Sequence, residues 1–117
     1  MGDRTDMGCA MRRGEVRWYT FEVPDKRRPV LILTRSSAIG FLTALTIAPI
    51  TTTVRSIPSE VFLTREDGLL TDCAVNLDNI QTVPKANLGA QIASLSPERM
   101  REVRRALSFA LGLDESV

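Results

Sequence analysis

The 117-residue chain contains no histidine. Proton transfer in it must fall to Arg, Lys, Asp, Glu, Ser, Thr, Tyr or Cys. Serine-hydrolase triads and histidine-pair nucleases are excluded within the chain. The two cysteines, Cys9 and Cys73, form no CxxC pair, so a zinc site is not expected. Cys73 sits in an apolar strand pattern and reads as a small buried hydrophobe, without a structural disulfide. The notable chemistry is cationic. Lys26, Arg27 and Arg28 run directly into Pro29 and the apolar stretch VLIL. Cations at a strand mouth ordinarily solvate its end. Pro29, however, has a fixed φ and biases Arg28 towards an extended backbone, which restricts where that guanidinium can point. A threonine run, Thr51, Thr52 and Thr53, and a polar cluster at Asn76, Asp78 and Asn79 are the other side chains to account for.

These residues need a scaffold. Alternation in RGEVRWYTFEV predicts a first strand over 14–23, with Val16, Trp18 and Thr20 on one face and Arg17, Tyr19 and Phe21 on the other. PVLILTR (29–35) is continuously apolar at its centre and reads as a strand buried on both faces. FLTALTIAPI (41–50) and SEVFLT (59–64) read as the third and fourth strands. REDGL reads as a turn, with Gly68 able to take a positive φ. A fifth strand over 71–83 is expected to end or bend at Asp78–Asn79, because Asp and Asn bond nearby backbone. PKANLG reads as one helical turn stopped by Gly89, followed by a short strand, QIASL. The last element is a helix with Ser96 as N-cap, Pro97 at its first turn and Gly112 as its stop. Met100, Val103, Leu107, Ala110 and Leu111 form its apolar stripe. Arg99, Arg101, Arg104 and Arg105 read as its solvated face.

Length suits one domain over 11–117, with residues 1–10 as a disordered N-terminal extension. Hydrophobic residues make up 44% and charged residues 25%, as in ordinary globular proteins. No apolar run approaches the roughly 18 residues needed to cross a bilayer, and no secretory signal is evident. A cytoplasmic protein without membrane contact is the expectation. The net charge of +1 is unevenly spread. Residues 1–58 hold nine Lys/Arg against five Asp/Glu, and residues 59–117 hold six against nine. The basic half suggests an anionic partner such as nucleic acid.

The order and spacing of MRRGEVRWYTFEV, RRPVLILTR, IAPITTTVRSIPSEVFLT, GLLTDCAVNLDNIQTV and IASLSPERMREVRRALSFALGL resemble the MazF/PemK family of toxin endoribonucleases over residues 11–113. The resemblance implies a mainly β fold, a small SH3-like barrel of the MazF/PemK/CcdB type with a C-terminal helix. It implies a homodimer that cleaves single-stranded RNA (mRNA, or tRNA and rRNA loops) at a short sequence. No metal or other cofactor is used, and a cognate antitoxin neutralises the toxin. Attack by the ribose 2′-OH leaves a 2′,3′-cyclic phosphate and a 5′-hydroxyl.

By the same resemblance Arg28 matches the catalytic arginine. Its guanidinium can give two parallel donors to phosphate. Thr51 matches the second catalytic position, and Thr52 and Thr53 are its chemical near-equivalents. Arg27 and Lys26 are expected to guide the phosphate backbone. Asn76, Asp78 and Asn79 are expected to bind bases or cap the strand. Tyr19 or Trp18 could stack on a base, although Trp18 reads first as core. Asn76 stands where an acid–base Arg/Asp pair would place its arginine, which leaves the proton acceptor open. The first hairpin carries only PDKRR, not the longer GSEQ-like loop of many relatives. A more open groove follows, suited to a folded substrate such as a tRNA loop. The alternative is a CcdB-like, non-catalytic inhibitor of gyrase; against it, the acidic GLDESV end lacks the aromatic/Gly pattern of that group.

Overall fold

The computed structural model describes residues 11–22 and 26–115. The expected extension 1–10 and the Pro24 and Asp25 part of PDKRR lie outside them, while Lys26, Arg27 and Arg28, expected as turn, are strand. Among the described residues, seven strands, all antiparallel to their neighbours, build one sheet: β1 Glu15–Phe21, β2 Lys26–Ile32, β3 Ala44–Thr51, β4 Glu60–Leu63, β5 Cys73–Asn76, β6 Gln81–Pro84 and β7 Leu88–Ser94. Short helix α1 (Ser36–Ile39) links β2 to β3, and helix α2 (Pro97–Leu111) ends the fold. The strand order is β4-β5-β3-β2-β1-β7, with β6 also paired to β3. The fold is mainly β with a C-terminal helix, as expected, and among the described residues its sheet stays open rather than closing into a barrel.

The apolar run of β2 explains the layering. Leu31 and Leu33 join Val16, Ala48, Ile50, Val75 and the α2 residues Val103 and Ala106 in one core. Val30 and Ile32 join Ile39, Leu45, Ile47 and Val83 in a second. Successive side chains leave opposite faces of a strand, so VLIL feeds both cores, and each buried Leu, Ile or Val contributes about 1.5–3 kcal/mol. β2 is thus clamped from two sides, which makes it a rigid mount for the cations at its start.

The expected fifth strand is two strands. Asn76 Oδ1 accepts the Asp78 N–H at 3.0 Å and opens a 3₁₀ turn, Leu77–Asn79. Before the turn, Ile50 and Thr51 pair with Val75 and Ala74; after it, Ala44–Ile47 pair with Pro84–Gln81. One edge of β3 is therefore shared between β5 and β6, with the turn at the break.

Helix α2 caps as its sequence predicts. Ser96 Oγ accepts the Arg99 N–H, and Gly112 adopts φ 67°. Within the apolar stripe, Val103 is buried and Leu111 is exposed. Arg99 departs from the expected solvated face. Its Nε donates to Asp67 Oδ1 at 2.9 Å, its second terminal nitrogen donates to Asp67 Oδ2 at 3.2 Å, and it also meets Glu102. Partial burial pushes the Asp67 carboxyl up, but the Arg99 and Thr64 hydrogen bonds outweigh it and hold the group below the usual carboxylate range. The pair ties α2 to the 3₁₀ turn Arg65–Asp67. That turn ends at Gly68, whose φ is 97° and where a Cβ would meet Ala93 Cβ at 2.8 Å, so only glycine fits.

Two other expectations shift. The third strand begins at Ala44, not 41, because Phe41 is 88% exposed and lies in the turn after α1. Gly89 does not stop a helical turn; the 3₁₀ turn Lys85–Asn87 gives way at Leu88 to β7, and Gly89 lies inside that strand.

Candidate active site

The start of β2 lies beside the end of β3. Pro49 pairs with Val30, and Thr51 pairs with Ala74 of β5. β3 therefore delivers Thr51 between β2 and β5. Thr51 Oγ1 accepts the Thr53 N–H at 3.0 Å, which turns the chain out of the strand. Its O–H hydrogen remains able to donate to another acceptor.

A cavity of about 310 Å³ opens at this junction. Lys26 and Arg28 line it from β2, Thr51 and Thr53 from β3 and its exit, and Asn76 and Asn79 from β5 and the 3₁₀ turn. Six of the ten expected site residues thus meet in one place. The wall also includes Phe21, Pro49, Arg55, Glu60 and Gln81, none of which was expected from the sequence. Arg55 lay hidden in VRSIP, which reads as a polar connection. In β4, Val61 and Leu63 are buried, and Glu60 leaves the strand on the opposite face from Val61.

The other four expected residues lie elsewhere. Thr52 lines a second, apolar cavity of about 200 Å³ with Trp18, Pro29, Leu69, Cys73 and Ile92; Thr51 borders both cavities. Arg27 leaves the opposite face of β2 from Arg28, and its guanidinium lies 4.3 Å from the centre of a Trp18 ring. Trp18, read first as core, is half-buried under that cation. Tyr19 packs edge-on against Phe21 with ring centres 4.8 Å apart and so backs the cavity wall. Asp78 accepts a short hydrogen bond from Ser59 Oγ, whose residue is only 2% exposed, while Leu77 N–H donates to the Ser59 carbonyl. These two bonds pin the turn that carries Asn79.

The charge of the cavity is lopsided. Among the described residues, Lys26, Arg28 and Arg55 face one carboxylate, Glu60. One carboxylate is a poor donor set for a hard divalent cation, whereas three cations with hydroxyl and amide donors suit an oligoanion. Cys73 is not a nucleophile here. Burial first, then the charges of Asp72 and Asp67, pushes its thiol up to about 11, so it stays protonated at neutral pH.

The model of the PemK-like, MazF-like toxin of type II toxin–antitoxin systems matches residues 12–111. Endoribonuclease MazF3 of Mycobacterium tuberculosis is 44% identical over 90 residues, covering 77% of this chain and 87% of its own. The solved Mycobacterium tuberculosis toxin MazF-mt6 shares 39% identity at a TM-score of 0.79, over 86% of this chain and 99% of that one. An endoribonuclease in complex with its cognate antitoxin, from a mycobacterial species, superposes at a TM-score of 0.82 with 31% identity, over 92% and 100% of the two chains. The chain belongs to the PemK-like, MazF-like toxin family of type II toxin–antitoxin systems.

Proposed function

We propose that the chain is a toxin endoribonuclease that cleaves single-stranded RNA through its own 2′-OH, without a metal. The observation that carries this reading is that Arg28 and Thr51 line one cavity together with two further cations. Cyclisation at phosphorus forms the 2′-O–P bond and breaks the P–O5′ bond. The phosphorane passed on the way carries added negative charge on its non-bridging oxygens. A guanidinium on a clamped strand meets that charge with parallel donors already in place. The Thr51 O–H gives a further donor. The 2′-OH proton leaves, the 5′-oxygen gains one, and the products are a 2′,3′-cyclic phosphate and a 5′-hydroxyl. Asn76 and Asn79 carry amides able to read base edges, which supplies sequence preference.

The relatives named above as endoribonucleases, and the neighbour solved with its cognate antitoxin, support both the activity and an antitoxin partner for this chain. On this reading the protein acts in the cytoplasm as a homodimer. No helix among the described residues is long and apolar enough to cross a membrane. The test is incubation of the purified protein with RNA in EDTA. Cleavage should persist in wild type and disappear in Arg28→Ala. Intact RNA, or equal cleavage by the variant, contradicts the assignment.

A further inference from the structure

In-line attack needs a group that removes the 2′-OH proton, and a chain without histidine has few candidates. Asp78 is poorly placed for it: the residue does not border the cavity, and one of its oxygens takes the Ser59 hydroxyl. Among the described residues that line the cavity, Glu60 is the one carboxylate. It stands at the first position of β4, directly opposite Asn76 of β5. Its Oε1 accepts the Arg55 N–H at 2.9 Å, and among the described residues no other donor reaches the carboxylate.

We infer that Glu60 is the proton acceptor of the cleavage reaction, an inference that rests on the function proposed above. The backbone bond to Arg55 fixes one carboxylate oxygen and with it the side chain, leaving the second oxygen for the 2′-OH. In the step, the 2′-O–H proton passes to the Glu60 carboxylate as the 2′-O–P bond forms. The P–O5′ bond then breaks, the 5′-oxygen takes a proton from water, and the Glu60 carboxyl returns its proton to solvent. No oxidant, reductant or metal enters the balance. Lys26, Arg28 and Arg55 share the cavity with Glu60. On its other side Glu60 borders a surface groove lined by Glu102 and Arg105 of α2 and by Asp114.

Glutamine separates the two roles that Glu60 could have. Its amide oxygen can still accept the Arg55 N–H, but it takes no proton at neutral pH. Initial rates on a mixed-sequence RNA pool are measured for wild type, Glu60→Gln and Glu60→Asp from pH 4 to 9, with thermal melting as a control. The expected result is a fall of about 100-fold or more for Glu60→Gln at pH 7. The acidic limb of the wild-type profile should disappear in that variant, and the melting temperature should stay close to wild type. Glu60→Asp should recover part of the rate, its carboxylate being one methylene short. A Glu60→Gln rate within about threefold of wild type, with the acidic limb intact, would overturn the inference and leave Glu60 as an anchor for the 52–58 loop. Wild-type protein that leaves the pool intact overturns the proposed function itself, a result separable from the first.

Discussion

Arg27 and Arg28 are adjacent in the chain but serve opposite faces of β2. Arg28 lines the cationic cavity with Thr51, while Arg27 lies over Trp18 beside the second cavity. The register agrees with the split, with Arg28 opposite Tyr19 and Arg27 opposite Thr20. Their truncations should therefore differ in kind. Arg28→Ala should lower kcat by at least about 100-fold, the scale of removing a main donor to the transition state. Arg27→Ala should raise KM and flatten the salt dependence of RNA binding, by roughly 0.7 in the log–log slope for each phosphate no longer neutralised. Steady-state kinetics and binding isotherms at several salt concentrations measure both. Equal falls of kcat in the two variants would contradict the division.

The Ser59–Asp78 bond is the pin of the 3₁₀ turn that presents Asn79. Ser59→Ala leaves Asp78 without that donor, and the turn loses its side-chain tie. The expected cost is about 1 kcal/mol in chemical denaturation, with a weaker sequence preference among the cut sites. Sequencing of 5′-hydroxyl RNA ends from both proteins reads the second effect. An unchanged site profile would show that the turn holds its place without Ser59.

The Asp67–Arg99 pair should show itself in the pH dependence of stability. The Asp67 carboxyl titrates below its ordinary value in the folded protein, so its contribution is present above the unfolded-state value of about 3.9. It is lost as pH falls through the lower, folded value. Asp67→Asn should thus melt earlier than wild type at pH 7, by an amount equivalent to about 1–2 kcal/mol. The gap should narrow between about pH 5 and pH 2. A gap that stays constant across that range would mean that the charge of Asp67 is not what stabilises the fold.

Legibility in the sequence followed the range of the interactions. VLIL declared a doubly buried strand because period-2 packing leaves no polar face. Ser96, Pro97 and Gly112 declared the ends of α2 because caps are local. Asp78–Asn79 marked a break in its strand for the same reason. Gly89 misled because a lone glycine after a turn looks like a stop, and only pairing with β1, where Arg17 and Tyr19 sit opposite Gln91 and Leu88, keeps it extended. Arg99 read as solvated because its partner, Asp67, lies 32 positions away. The site divided similarly. Arg28 and Thr51 were legible through family resemblance, whereas Arg55 and Glu60 enter it only once β4 is laid beside β5.

That the RNA supplies its own nucleophile has a direct test. Once a cut site has been mapped, an oligonucleotide carrying that site is made twice, once all-ribo and once with a single 2′-deoxynucleotide on the 5′ side of the scissile phosphate. The all-ribo strand should be cut in EDTA to a cyclic phosphate and a 5′-hydroxyl, and the 2′-deoxy strand should not be cut at all. Cleavage of the 2′-deoxy strand at that bond would contradict the proposed chemistry.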